Sequence, residues 1–326
     1  MTKRVRTAVV GLGYFGSFHA RHYALNSDAD LVAVVDADGE RARAAAAEHG
    51  GEALSDHRAL FGRVDAVSIA APTSQHFDIA RDCIEAGLDV FIEKPIAETV
   101  EQADALIAAA KARGVVLQVG HIERFSAAYQ ALKGKTFEPR IVEARRLVPF
   151  RPRANDVSVV ADLMIHDIDL VLDLVGSEPV SVEADGLTLV NRTADHVTAR
   201  IGFANGAAAI VTAGRVGTSG ERTVRVVEET RALLCDLQNS RLSVVRVNGL
   251  AEELGEGAVD SDESDVERQD NLAAEIRDFI GCCQTRRSPI VTGETGRDAL
   301  AIVQKIEAVL EKSAPAAAKE YSRVAS

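Results

Sequence analysis

The sequence predicts an α/β chain in two parts: a doubly wound parallel sheet, then an α+β part with an open, mostly antiparallel sheet. Three observations carry that prediction. Over the first 120 residues short apolar runs alternate with longer helical patterns; after residue 121 the rhythm changes to a series of strand patterns; and a glycine-rich turn joins the first apolar run to the first helical pattern.

The early apolar runs are residues 5–10, 31–35, 66–70, 89–92 and 115–119. They are β-branched, do not alternate with polar residues, and are bounded by Gly, Asp or Pro, as expected of strands buried on both faces. Between two of them Phe77, Ala80, Cys83 and Ile84 recur at helical spacing until Gly87 stops the helix. The next helix buries Val100, Ala103, Leu106, Ile107 and Ala110 and stops at Gly114. Strands alternating with helices imply a parallel sheet with helices on both faces. Beyond residue 121, helical patterns at 124–132 and 159–175 precede strand candidates from Val180 to Val247. Asn205-Gly206 between two apolar runs signals a hairpin with a two-residue turn. Helices at 272–283 and 296–311 follow. The expected division is therefore a domain over residues 1–121 and a second over 122–326, whose last helices can pack back on the first.

Composition narrows the function by exclusion. The 326 residues carry 37 Lys plus Arg against 49 Asp plus Glu, a net charge of −12, which opposes encounter with nucleic acid or an anionic membrane. At 47% hydrophobic and 26% charged the chain reads as an ordinary soluble globular protein. No apolar run approaches the roughly 18–20 residues of a membrane span. The apolar stretch 7–10 is too short for a secretory signal. Cys83, Cys235, Cys282 and Cys283 form no Cys-x-x-Cys pair and no metal-ligand spacing, so reduced thiols in the cytoplasm and no metal site are expected. The charges are unevenly placed: residues 250–267 hold eight acids and no Lys or Arg, and read as a mobile, solvated loop.

The glycine turn gives the first positive evidence. Residues 7–10 run into Gly11-Leu-Gly13-Tyr14-Phe15-Gly16, and a helical pattern follows. Gly11 suits a tight turn, Gly13 the close approach of a pyrophosphate, and Gly16 helix–strand packing, while the helix N-terminus offers N–H groups to an anion. Asp36 ends the next strand, 20 residues past Gly16, where a carboxylate binds ribose hydroxyls and repels a 2′-phosphate. This Rossmann arrangement favours NAD over NADP as cofactor.

Ligands of such sheets lie beyond the carboxyl ends of the strands. Three segments fall there: Ala71-Pro72-Thr73, Glu93-Lys94-Pro95 and Gly120-His121. Lys94 near a cofactor can hydrogen-bond a reacting hydroxyl and lower its pKa. Further on, Asp162, His166 and Asp169 are spaced by four and three residues, on one face of a helix. A carboxylate beside an imidazole raises its basicity and fits it to take a proton from an alcohol. His19 and His22 lack a third ligand and read as helix residues beside the glycine turn; His76 and His121 follow strand ends and are expected to line the cofactor cleft.

Together, Gly11–Gly16, Asp36, Glu93-Lys94-Pro95 and the Asp162–His166 spacing resemble the Gfo/Idh/MocA family of sugar and polyol dehydrogenases. The resemblance spans nearly the whole chain, including residues 271–279. It implies that Lys94, Asp162 and His166 form the catalytic set, and that the open sheet serves as a homodimer or homotetramer interface. Within the family, residues 120–125 and 162–170 resemble members that oxidise the 3-hydroxyl of UDP-N-acetylglucosamine before a transaminase installs an amine.

An independent feature bears on the substrate. Residues 140–153 contain five Arg against the single Glu143. Arginine presents a planar fork suited to diphosphate oxygens. A strand alternates its faces, so Arg145 and Arg146 cannot both face a pocket. Arg151 and Arg153, with Arg124 behind them, are the expected anion contacts, and Lys94, His121, Glu123 and His166 complete the expected substrate contacts. The cofactor contacts expected are Gly11, Gly13, Tyr14, Phe15, Gly16, Asp36, Ala71, Pro72, Thr73, His76, Glu93 and Lys94. A neutral polyol or hexose is the alternative substrate. A non-catalytic NAD-binding regulator would tolerate loss of Lys94, Asp162 and His166, all of which are present.

Overall fold

The computed structural model of the protein describes residues 4–151 and 157–313. Strands β1 (Val5–Val10), β2 (Ala29–Val35), β3 (Glu52–Leu54), β4 (Ala66–Ile69), β5 (Asp89–Glu93) and β6 (Leu117–Gly120) form one parallel sheet in the order β3-β2-β1-β4-β5-β6. The order reverses between β1 and β4, so the crevice for a dinucleotide opens at the carboxyl end of β1. Helices α1 (Tyr14–Leu25), α2 (Gly39–His49), α3 (Thr73–Glu85) and α4 (Val100–Arg113) supply the crossovers. The ends of α4 have identifiable causes. Thr99 and Gln102 make a capping box, and Gly114 closes the helix in the left-handed region at φ +66°. Only β3 escaped the apolar pattern: it is a three-residue edge strand with one exposed and two half-buried residues.

The second sheet comprises β7 (Ile141–Leu147), β8 (Pro179–Leu187), β9 (His196–Phe203), β10 (Ala208–Gly214), β11 (Glu221–Val227), β12 (Arg231–Asp236), β13 (Arg241–Val247) and β14 (Val259–Asp265), in the order β14-β13-β12-β11-β7-β10-β9-β8. Its pairings are antiparallel except β7 with β10. One face packs Val142, Ala144, Val211 and Val224 against α6 (Ile165–Val175) and α9 (Gly293–Ser313). The opposite face leaves Ile141, Ile210 and Leu234 exposed. The short helices α5 (Ala127–Lys133) and α7 (Ala251–Leu254) border the sheet.

Two local expectations are corrected. Asn205-Gly206 does turn a hairpin, but the loop is Ala204-Asn205-Gly206: Phe203 and Ala207 are bonded across it, and Gly206 takes φ +84°. That is a turn closed by a left-handed glycine, which needs one residue more than the tightest hairpin. The acidic stretch 250–267 is not a loop throughout. Its second half is β14, every residue of it exposed. Arg241 meets Glu263 and Asp265, and Arg246 meets Asp260 and Asp262, so the carboxylates are held by the neighbouring strand. A charged edge strand also resists pairing with other chains.

Helix α8 (Asn271–Thr285) packs back on the first domain. Leu272, Ile276, Phe279 and Ile280 share a core cluster with Val5, Val9, Tyr23 and Phe91. All four cysteines are free. No helix among the described residues is long and apolar enough to cross a membrane.

Candidate active site

The turn after β1 is shaped by what the glycines lack. Gly11 sits at φ +86°, and a Cβ there would lie 2.5 Å from the Ala71 nitrogen. A Cβ on Gly16 would stand 1.7 Å from the Gly11 carbonyl oxygen, so helix and turn meet backbone to backbone. Gly13 differs: it is extended, at φ −68° and ψ −162°, and a Cβ would meet nothing within 4 Å. Neither packing nor backbone strain requires glycine there. Open space in front of bare backbone at a helix N-terminus is what a pyrophosphate needs, so the turn fits a dinucleotide.

Tyr14 and Phe15 open α1 and are exposed beside this space. Asp36, at the end of β2, accepts from the Leu12 N–H at 2.8 Å and the Asp38 N–H at 2.9 Å, with the Arg41 guanidinium 3.3 Å away. Its carboxylate is thereby fixed at the rim. Ala71, Pro72 and Thr73 lead from β4 into α3. His76 does not line the cleft: its ring nitrogens lie 2.8 Å from the Ala71 carbonyl and 2.9 Å from that of Pro95, and the side chain is buried. It ties the two loops together, because consecutive strand-end loops bring both carbonyls to one helix turn.

Glu93 closes β5 and faces inward. His19 Nε2 lies 2.9 Å from its carboxylate, His19 Nδ1 lies 3.2 Å from Ser68 Oγ, and the Tyr23 hydroxyl is 2.6 Å from the same Ser68 oxygen. Thus His19 is part of a buried chain that orients Glu93, a role its sequence spacing did not signal. Gly120 makes room for it, since a Cβ there would be 2.9 Å from the Glu93 carboxyl carbon. Lys94 follows, its Nζ donating to the Asp162 carbonyl at 2.8 Å and lying 3.7 Å from the Asp162 carboxylate. Burial pushes the Lys94 pKa down, partly offset by Asp162 and Glu93.

The helix that carries Asp162 and His166 begins as a π-helical turn, Val160–Met164, and continues as α6. Such turns recur at functional sites. The wider turn upsets the four-residue stacking on which an Asp162–His166 pair depended. Asp162 sits with Lys94 instead, and His166 Nδ1 is buried without a hydrogen-bond partner among the described residues. Burial, followed by the fields of Lys94, Arg146, His121 and Arg222, drives the His166 pKa well below its ordinary value. The imidazole is therefore neutral at neutral pH and able to accept a proton.

The remaining α6 acids are structural rather than aligned with His166. Asp169 takes Arg124 at 2.6 and 2.8 Å, and Asp173 takes the same guanidinium at 2.5 Å. Arg124 is therefore locked away and is not an anion contact. Asp167 takes Arg146 at 2.8 and 2.9 Å, and Glu123 takes the third Arg146 nitrogen at 2.9 Å. Glu123 is consumed by this network. Arg145 points the other way and pairs with Glu221, as strand alternation required. His121 is fully buried, with neither ring nitrogen hydrogen-bonded among the described residues. Arg151 is exposed, and Arg153 lies outside the described residues. Among the described residues no group of three or more His, Cys, Asp or Glu is placed to hold a metal ion.

Comparison with known proteins agrees with this geometry. The NAD-binding Rossmann-fold model of the Gfo/Idh/MocA oxidoreductases matches residues 5–121, and the model of that family's C-terminal domain matches residues 119–233. The chain belongs to the Gfo/Idh/MocA family. It is 41% identical over 308 residues to the UDP-N-acetylglucosamine 3-dehydrogenase of Acidithiobacillus ferrooxidans, covering 94% of this chain and 97% of that one. A solved structure of that enzyme matches with a TM-score of 0.89 at 40% identity, covering 95% and 98% of the two chains. The scyllo-inositol 2-dehydrogenase (NAD(+)) of Bacillus subtilis is 29% identical over 313 residues, 90% of each chain. As a Gfo/Idh/MocA member the chain is an NAD-binding dehydrogenase. Gly11, Gly13, Gly16 and Asp36 are the residues whose geometry suits the dinucleotide.

Proposed function

We propose that the protein oxidises a ring hydroxyl of a nucleotide-diphosphate sugar to a ketone, and that the substrate is UDP-N-acetylglucosamine, oxidised at its 3-hydroxyl. The observation that carries this reading is the half-exposed guanidinium of Arg222, which stands 3.6 Å from Glu123, the carboxylate that Arg146 already holds, and whose field reaches His166. A neutral polyol gains nothing from such a field, whereas an anionic substrate does. The 41% identity to an enzyme of that activity supports the same choice.

In this mechanism the bound dinucleotide supplies the hydride acceptor. His166 takes the hydroxyl proton. Lys94, aimed by the Asp162 carbonyl, stabilises the developing alkoxide in a site screened from water, where a fixed charge is worth more than in bulk solvent. Asp162 is thus a positioning residue for Lys94. Glu93 and His19 hold the strand end from which Lys94 projects. A homo-oligomer formed through the open sheet face, in the cytoplasm, completes the proposal.

The test is to mix the protein with NAD and a panel of UDP-sugars and polyols and follow absorbance of the reduced cofactor. Turnover with UDP-N-acetylglucosamine, weakened by raised salt, is the expected result. Turnover with inositol and none with UDP-sugars overturns the reading.

A further inference from the structure

Arg222 lies on β11 directly opposite Arg146 on β7. Residues opposite one another in an antiparallel pair project to the same face. Arg146 is buried under α6, so Arg222 issues toward the same pocket, one strand further out. The continuation of β11 agrees, since Val224 and Val226 are buried on that face.

The two arginines differ in how they are used. Three nitrogens of Arg146 are hydrogen-bonded to Asp167 and Glu123, and its side chain is 4% exposed. Arg222 stands 3.6 Å from the same Glu123 oxygen that Arg146 already holds, and keeps 47% of its side chain exposed. Among the described residues its guanidinium shares that one carboxylate and makes no closer contact. Its field nevertheless reaches His166 and Asp167. Three neighbouring arginines are otherwise engaged, Arg124 by Asp169, Arg145 by Glu221 on the far face, and Arg215 by the Val157 carbonyl, while Arg151 is exposed and is not on the strand that faces Arg146.

We propose that Arg222 is the specificity-determining residue that binds the substrate's diphosphate, its planar fork held at the pocket rim by Glu123 and opposite Arg146. A guanidinium with an open edge is suited to bidentate hydrogen bonding to phosphate oxygens. The inference rests on the nucleotide-sugar reading above and names the residue that enforces it. It also accounts for Glu123, whose single charge serves two arginines.

The test compares wild type with Arg222→Met and Arg222→Lys, measuring kcat and KM for UDP-N-acetylglucosamine, KM for NAD, and inhibition by free UDP. In Arg222→Met the KM for the UDP-sugar and the inhibition constant of UDP rise about 10- to 100-fold, the scale of a lost hydrogen bond to a charged group. The kcat and the KM for NAD stay within about two-fold, because that hydrogen bond is made equally in ground and transition states. Arg222→Lys recovers part of the loss. Unchanged UDP inhibition in Arg222→Met, in an enzyme that still turns over the UDP-sugar, overturns the inference and leaves the proposed function standing. A fall in kcat and thermal stability with no change in UDP affinity likewise overturns it. A wild-type enzyme that neither oxidises UDP-sugars nor binds UDP overturns the proposed function, and this inference with it.

Discussion

At the cofactor end of the cleft, recognition is built from backbone: Gly11, Gly13 and Gly16 act by the side chains they lack, and Asp36 is held by main-chain N–H groups. At the proposed substrate end the structure offers side chains on four separated segments, with Glu123, Arg146, Asp167 and Arg222 in one ion-pair network. The first construction is local and rigid, because steric limits on a turn are absolute over a few residues. The second exists only once both sheets are in place, and it sets charge rather than shape. A polypeptide that changes substrate while keeping its cofactor has only the second to alter.

If the two ends are separable, variants at one should leave the other intact. The largest effects fall at the chemistry between them. Lys94→Ala and His166→Ala should each lower kcat about 100- to 10,000-fold, the usual worth of acid–base and electrostatic assistance. For His166→Ala, calorimetry should find NAD affinity unchanged. The same pair sets the pH profile. A base with a lowered pKa stays unprotonated further into acid, so the acid limb of kcat/KM should lie below pH 6.5. A Lys94 lowered from 10.5 should place the alkaline limb below that value. An acid limb above 6.5 would remove His166 as the base.

Next in size are the glycines, which split the cofactor end into ligand space and fold. Gly13→Val meets open space and ordinary backbone angles, so melting temperature should hold while the Kd for NAD rises more than about ten-fold. Gly16→Ala collides with the Gly11 carbonyl and should lower the melting temperature itself. If Gly13→Val bound NAD normally, the cradle would be misplaced.

A smaller effect comes from α8, which lies beneath both ends. Glu275 is fully buried, neither carboxyl oxygen has a hydrogen-bond partner among the described residues, and burial together with Glu93, Asp169 and Asp278 holds its pKa well above the carboxylate range. Burial thus favours its protonated form in the folded protein. The folded state keeps its proton where the unfolded chain has released it. The stability Glu275 contributes is therefore complete below about pH 4.3 and is lost as pH rises toward the folded value. Glu275→Gln should match wild type in acid and melt a few degrees higher in mildly alkaline buffer, a gap that thermal scans across pH would read. A constant gap at every pH would mean that Glu275 never titrates. The smallest effect belongs to the exposed edge: Asp262→Ala should shift stability by less than about 1 kcal/mol in denaturant titration.

What could be read from the sequence follows the same division. The parallel strands, their buried apolar runs and the glycine turn were legible because each imposes a short, local pattern. Lys94 and His166 stand out in the sequence as titratable groups in unusual places, and the structure brings them close enough for Lys94 to act on the His166 ring. The partner of His166 was not, because a π-helical turn breaks the four-residue arithmetic and passes Asp162 to Lys94. Arg124 was misread for a related reason: residues 45 positions away, at Asp169, decide whether it faces a ligand or a carboxylate. The acidic stretch at β14 reads as loop from composition alone, and only the arginines of β13 make it a strand. His19 gave no signal at all, since its partner Glu93 lies 74 residues on.

The most direct test of the account follows the hydride. The protein is given NAD and UDP-N-acetylglucosamine carrying deuterium at C3, and the reduced cofactor is examined by mass spectrometry. The reduced cofactor should carry one deuterium, and the keto sugar should have lost it. Reduced cofactor without deuterium, or deuterium retained in an oxidised sugar, would contradict the proposed oxidation.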